Sequence, residues 1–323
     1  MHTNLGFMWY SCLVYAGTLL MLVCQVQASR VPEGSMTNGL WQSETRVDTW
    51  YAWMSAAIAE PFDRVDRFFG DELILDETQR TRLRTGAGLR YDVEQGGKMI
   101  TDFSLRLALP RLEARWQIFM DELVGEDEFS GISDFTRPPV DAEPDVGLRY
   151  FLHRRLDKSV RADAGYRFGS PNQAFGRVRG RVRYPRGHWT LDLTQAFTYF
   201  TAEGWRSQSD MSWTLPFAQA YGVRSFSRIT WEEISTGFRP EQRVSLYRTL
   251  TARRAWRLEG RGVWPEMPSP SDIRYTLEFA YRQLVHRNWL FVEIAPGVEY
   301  AEVNAYAANP FIALKFEVVF NSN

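Results

Sequence analysis

The sequence predicts an all-β protein, a transmembrane antiparallel up-and-down β-barrel of about 14 strands (12–16) with a short N-terminal helical segment. Two observations support this fold. Polar and apolar residues alternate with a period of two from residue 79 to the end of the chain. Tight turns also alternate with longer links along that region. Together these patterns are typical of an even-stranded barrel with its apolar face in lipid.

The alternation is clearest between residues 175 and 200, which read as a hairpin around Pro185-Arg186-Gly187. Its first arm places four arginines on one face and small or apolar residues on the other. Its second arm alternates apolar residues with Thr190, Asp192, Thr194 and Thr198. Because unpaired charge is costly in a dry core, the arginine face needs water or carboxylate partners.

Composition narrows the protein class. The chain has 323 residues, 45% of them hydrophobic and 15% aromatic, with a mean hydropathy of -0.34. These values exclude both a bundle of membrane helices and a disordered chain. The formal net charge of -1 argues against nucleic-acid binding. Only Lys98, Lys158 and Lys315 are lysines, so arginine supplies nearly all the positive charge. This bias suits an internal network of ion pairs, although genomic base composition explains it equally well.

The chain divides into three predicted regions. Residues 1–28 read as a signal peptide, because a long apolar run ends at Val26-Gln27-Ala28; an uncleaved anchor is the alternative. Both cysteines, Cys12 and Cys24, fall in this region. Residues 29–78 form a predicted periplasmic N-terminal segment, and residues 79–323 form the predicted barrel.

The predicted barrel resembles the bacterial outer-membrane β-barrel proteins as a class, over roughly residues 79–320, without matching a named family within it. The likeness rests on the alternation, on the alternating link lengths, and on a last strand that ends in the aromatic Phe320. It implies a location in the cell outer membrane, contact with outer-membrane lipid and lipopolysaccharide, and insertion by the barrel-assembly machinery. Asn321, Ser322 and Asn323 extend beyond the aromatic at which this class usually stops, which is a departure from the signal that the assembly machinery reads in this class.

Residues 44–69 are predicted to form an amphipathic helix, interrupted near Pro61. Its apolar stripe comprises Trp50, Trp53, Met54, Ile58 and Phe62. Such a stripe needs a covering surface. We weigh three: the barrel lumen, as a plug or lid; the inner leaflet of the outer membrane; or a periplasmic protein. Flanking acidic residues favour an arginine-rich lumen.

Candidate catalytic residues are few. Past the signal region the histidines are His153, His188 and His286, all near predicted tight turns, and His188 has no serine on its own face. We therefore expect no enzyme activity, no catalytic residues, no cofactor and no metal site; a lipid-modifying enzyme is a distant third hypothesis. The acidic segment 121–145 is interpreted as a surface loop, with folding into the mouth as the alternative.

The lumen is the predicted functional site. Its candidate pore-lining, anion-attracting residues are Arg84, Arg106, Arg115, Arg149, Arg177, Arg179, Arg181, Arg183 and Arg228. The leading hypothesis is a porin-like channel that passes or binds a small anionic solute, with the N-terminal helix as plug or lid. The alternative is a non-conducting envelope anchor or export component whose helix docks a periplasmic partner. An internal network of ion pairs that closes the lumen fits the alternative.

Overall fold

The computed structural model describes residues 82–94, 96–108, 115–121, 145–155, 157–217, 220–235, 237–267, 272–286 and 289–321. The predicted signal peptide and the helix at 44–69 lie outside these residues. The strands are β1 (Arg82–Asp92), β2 (Gly96–Ala108), β3 (Trp116–Asp121), β4 (Asp145–Arg154), β5 (Lys158–Arg167), β6 (Gln173–Arg186), β7 (Trp189–Phe200), β8 (Gly204–Phe217), β9 (Tyr221–Glu232), β10 (Phe238–Thr251), β11 (Arg254–Val263), β12 (Arg274–His286), β13 (Leu290–Ala301) and β14 (Ala308–Asn321). A 3-10 turn, Glu302–Asn304, precedes β14.

The fourteen strands form one closed barrel in which each strand pairs with its neighbours in sequence. Closure comes from antiparallel pairing of β1 with β14, whose register runs from Arg82↔Asn321 to Asp92↔Phe311. The predicted fold and strand number are confirmed. The short strand β3 begins at Trp116, and residues 109–114 before it are outside the described part.

Side chains alternate between the two faces as the sequence predicts. On β6, Arg177, Arg179 and Arg181 are buried inside the barrel, whereas Val178 between them is 52% exposed. The same inversion holds on β1, where Arg90 is buried and Leu89 is 61% exposed. A charged interior and an apolar exterior are the reverse of a soluble protein and suit a barrel embedded in lipid.

The links at the two ends of the barrel differ. Five of the six links at one end have two or three residues each, namely 155–157, 187–188, 218–220, 252–253 and 287–289, and both described chain ends lie on that side. The opposite end carries the longest links, 122–144 and 264–273, together with two short ones at 93–95 and 201–203. Among the described residues, no helix is long and apolar enough to cross a membrane.

Aromatic rings gather near both ends of the outer surface. At the tight-turn end Trp116 contacts Tyr150 and Tyr184 contacts Trp189, with ring centroids 4.7 Å and 6.2 Å apart. At the other end Tyr199 lies 5.2 Å from Trp205. Amphipathic rings favour the boundary between hydrocarbon and water, so these two girdles mark the edges of the bilayer. The exterior is that of an outer-membrane β-barrel, in agreement with the resemblance inferred from the sequence.

Candidate functional site

The predicted arginines come together on the inner wall. Seven of the nine are buried: Arg84, Arg106, Arg149, Arg177, Arg179, Arg181 and Arg228 are 3–8% exposed. The side chain of Arg183 is 21% exposed near the tight-turn end of β6. Strand alternation explains this convergence, because every second residue of a barrel strand points inward.

The carboxylate of Asp163 on β5 lies at the centre of a cluster of inward-facing arginines. Arg149 of β4 donates two hydrogen bonds to its carboxylate, at 2.9 Å and 3.3 Å. Arg161 and Arg177 approach the same carboxylate from β5 and β6, each at 3.8 Å. One buried negative charge therefore lies among three guanidinium groups.

Two further aspartates on this wall are shared in the same way. Asp145 accepts two hydrogen bonds from Arg167, at 2.7 Å and 3.0 Å, and lies 3.5 Å from Arg177. Asp192 of β7 accepts hydrogen bonds from Arg181 at 2.9 Å and from Arg183 at 2.8 Å. Asp145, the last residue of the acidic segment 121–145, is also the first residue of β4 and lies beside these arginines.

Cations exceed carboxylates on the arginine wall, which we define as the inner face of β4 to β7. On these described strands seven arginines face three aspartates: Arg149, Arg161, Arg167, Arg177, Arg179, Arg181 and Arg183 against Asp145, Asp163 and Asp192. The register pairs Arg161 directly with Arg179 across β5 and β6, which brings two like charges together. The wall therefore has a positive surplus.

The inner face on the opposite side, from β11 through β14 to β1, carries nearly equal numbers of positively and negatively charged side chains. Arg257 contacts Glu278 at 2.9 Å and Glu259 at 3.7 Å. Glu317 of β14 pairs with Arg84 of β1 at 2.9 Å and with Lys315 at 3.1 Å. It also accepts a short hydrogen bond from Arg282 of β12, which itself lies 3.8 Å from Glu293. Carboxylates here nearly match the cations in number, so this glutamate wall carries little net charge.

Aromatic rings on the inner face cover glycines of neighbouring strands. Phe119 is paired with Gly147, and Phe175 with Gly165, and each ring tip lies where a side chain on the glycine would project. Phe200 joins Phe175 at a centroid distance of 5.9 Å, with the Arg167 guanidinium 4.4 Å from its ring centroid. Contacts between these rings and the guanidinium groups hold the neighbouring arginines in position.

Arg115 does not join the other predicted pore-lining arginines. It lies exposed just before β3, and its guanidinium donates to the hydroxyl of Tyr150 at 3.5 Å. The predicted helix residues Trp50, Trp53, Met54, Ile58 and Phe62 are outside the described residues. His153 and His188 are exposed, and His286 contacts Trp289 with ring centroids 5.3 Å apart. Within the described ranges no group of three or more metal-binding side chains occurs.

The glutamate wall was missed at the sequence level. Alternation alone places four glutamates at inward positions: Glu259, Glu278, Glu293 and Glu317. The predicted pore-lining residues nevertheless include only arginines. Gln195 was also not singled out: it interrupts an apolar row on β7 and points outward. Its position in the alternation was the available signal.

Comparison with known proteins gives no family. No family model matches the sequence, and no curated protein matches it. Solved structures are similar in shape only. The CymD monoaromatic hydrocarbon channel has a TM-score of 0.49 at 8% identity, over 80% of this chain and 97% of that chain. Pseudomonas putida OprB has a TM-score of 0.49 at 11% identity, over 79% and 97%. An anion-selective porin from Comamonas acidovorans has a TM-score of 0.43 at 8% identity, over 75% and 98%.

Proposed function

We propose that the protein is an outer-membrane channel that passes or binds a small anionic solute. The observation that carries this proposal is the surplus of guanidinium groups on the arginine wall. Seven arginines lie with three aspartates there, whereas the glutamate wall is close to balanced. The net positive field is therefore not cancelled across the barrel.

The electrostatic argument is one of local concentration. A cleft lined by one sign of charge, with low-dielectric walls, raises the concentration of counter-ions inside it. Rings of arginine and lysine favour anions in pores for the same reason. Arginine suits this task because its planar guanidinium stays charged and its geometry matches that of carboxylate and phosphate groups.

The interior also suggests how passage is limited. Barrels of eight strands fill their own interior, whereas barrels of 16 to 18 strands leave an aqueous channel. Fourteen strands fall between, yet the inward arginines Arg179 and Arg181 are only 5% and 7% exposed. We infer a narrow conduit that the amphipathic segment 44–69 closes as a plug or lid. Its acidic residues, among them Asp48, Glu60 and Asp63, are complementary in charge to the arginine wall.

The burial of the interior also favours a second candidate, a non-conducting envelope anchor. Long ion-paired ladders stiffen a barrel, and buried inward side chains are expected of a closed lumen. On this hypothesis residues 44–69 dock a periplasmic protein, and the barrel serves only to hold that segment at the membrane.

Planar-bilayer recording of the purified full chain, and of a variant lacking residues 43–70, separates the two candidates. For the channel we expect discrete conductance steps, larger or more frequent after the deletion. Heat-dependent migration in detergent gels is the control that both proteins are folded. Silence from both folded proteins, with loss of a co-purifying periplasmic protein on deletion, would overturn the channel in favour of the anchor.

A further inference from the structure

The outer surface of β7 to β10 carries uncharged polar side chains at mid-height of the barrel. We call them the polar face: Gln195, Ser207, Ser209, Ser225, Ser227 and Gln242. They alternate with buried inward residues such as Asp210 and Arg228, so they point outward. Trp205 and Trp231 lie on the same strands towards one end. The polar face therefore lies in the apolar band between the aromatic girdles.

Lipid hydrocarbon offers no hydrogen-bond partners, so polar groups that face it must pair with protein. Gln195 receives a hydrogen bond from Ser209 at 2.5 Å and donates to Ser207 at 3.1 Å. Gln242 repeats the arrangement on β9 and β10. It accepts from Ser227 at 2.5 Å and donates to Ser225 at 3.0 Å.

In each arrangement one serine hydroxyl accepts a hydrogen bond but donates none to a described residue. Within the described residues Ser207 and Ser225 each accept a hydrogen bond from a glutamine, and no acceptor lies in hydrogen-bonding position for either hydroxyl hydrogen. In hydrocarbon such donors are stabilised by a neighbouring surface that supplies hydrogen-bond acceptors at the same depth in the membrane. Glutamine and serine oxygens are acceptors of that kind, so the polar face is complementary to itself.

Glycines beside the polar face leave room for close approach. Gly180 pairs with Gln195 across β6 and β7, and Gly176 lies on the same outward row. Gly260 of β11 lies at the other border. A side chain built on any of these three would meet nothing within 4 Å, and none has a positive φ. Neither backbone conformation nor internal packing requires glycine here, and glycine in a strand often marks the approach of another backbone.

The opposite side of the barrel is different. Outward residues of β14 and β1 are mostly apolar: Ile312, Phe316 and Leu89 are 45%, 50% and 61% exposed, and Thr85 and Ala87 are the smaller outward residues of β1. That surface suits lipid chains. Among the described strands, the hydrogen-bonded glutamine–serine groups lie on the β7 to β10 side of the barrel.

We propose that the protein associates with a second copy of itself through the polar face and its bordering glycines. The partner must lie in the same membrane at the same depth, must be uncharged at the contact, and must offer both donors and acceptors. A second copy meets each requirement. Six strands about 4.8 Å apart, crossing an apolar band about 25 Å tall, give a face of about 600 Å². Because the barrel surface is convex, two copies bury at most about 1,200 Å² in total, which is at the lower end of the range for specific interfaces.

Cysteine crosslinking in native outer membranes tests this contact, in a background with Cys12→Ala and Cys24→Ala. The variants Ser209→Cys and Ser225→Cys on the polar face are compared with Leu89→Cys on the opposite side. We expect a disulfide-linked species of twice the monomer mass from the first two and none from the third. Crosslinks to a species of another mass, equal crosslinking at all three positions, or none at any would overturn the proposal.

A second pair of variants separates association from folding. Gly180→Leu adds bulk at the border of the polar face, and Ala87→Leu adds it to the outward surface of β1. Both positions face outward, so we expect both proteins to keep their heat-dependent gel migration. The crosslinked yield at Ser209→Cys should fall at least several-fold in the Gly180→Leu protein alone. An unchanged yield in that folded protein would contradict the proposed contact.

Discussion

Asp163 is the residue on which the arginine wall depends most directly. Its carboxylate is buried and lies within 3.8 Å of guanidinium nitrogens from Arg149, Arg161 and Arg177. Asp163→Asn leaves these buried cations without their shared counter-charge. Breaking a buried ion pair costs about 3 kcal/mol or more, and we expect a loss of that order, seen as a lower unfolding temperature in detergent.

The matched control is Asp157→Asn, because Asp157 lies exposed in the link between β4 and β5. We expect its unfolding temperature to equal that of the unmodified protein. Equal unfolding temperatures for the Asp163→Asn and Asp157→Asn proteins would mean that the buried aspartate contributes no stability.

A glycine pair tests the close packing inside the barrel. A side chain on Gly165 would lie 2.4 Å from the backbone oxygen of Val146 and 2.9 Å from the ring of Phe175. Gly165→Ala should therefore destabilise the barrel by about 1–3 kcal/mol. Gly260→Ala, on the outer surface with open space around it, should have no such effect. Urea unfolding followed by tryptophan fluorescence measures both, and equal midpoints would contradict the packing argument.

At the scale of elements, the seam between β1 and β14 closes the barrel. Glu317 holds this seam from the inside, because Arg84 of β1 and Arg282 of β12 both bond to its carboxylate. Glu317→Gln removes the charge but keeps the shape. We expect faster hydrogen exchange of the β1 and β14 amides, while exchange on β7 and β8 stays unchanged. Uniform acceleration over all strands would contradict a local role for Glu317 at the seam.

Alternation made the strands of this barrel predictable, but not their register. The rows Arg177, Arg179, Arg181 and Val178, Gly180, Val182 assign the two faces of β6 without further information. Which residue of β5 stands opposite Arg179 depends on the stagger between strands, a property of the closed barrel as a whole. The Arg161–Arg179 pairing and the sharing of Asp163 therefore emerged only from the structure.

The polar face was hidden for a related reason. Gln195 is a single polar residue in its outward row, and Ser207 with Ser209 and Ser225 with Ser227 are short interruptions of otherwise apolar rows, so each looks unremarkable in its own strand. Only the lateral pairing of β7 with β8, and of β9 with β10, gathers them into one surface. Local patterns thus predicted the arginine wall, and the pairing of strands defined the polar face.

At the scale of the whole molecule, the two inner walls differ in charge and the outer surface differs in polarity around the barrel. The arginine wall of β4 to β7 faces the lumen with a cation surplus, and the nearly balanced glutamate wall lies across from it. An ion inside the barrel therefore experiences a field directed across the lumen. This asymmetry is the basis of the proposed preference for anions.

The most direct test is the reversal potential of the protein in a planar bilayer under a potassium chloride gradient. We predict a reversal potential whose sign shows that chloride is more permeant than potassium. We also predict that combining Arg179→Glu and Arg181→Glu in a folded, conducting variant shifts the reversal potential towards the value for potassium. A potassium preference in the unmodified protein, or a reversal potential that the paired substitution does not move, would contradict the account.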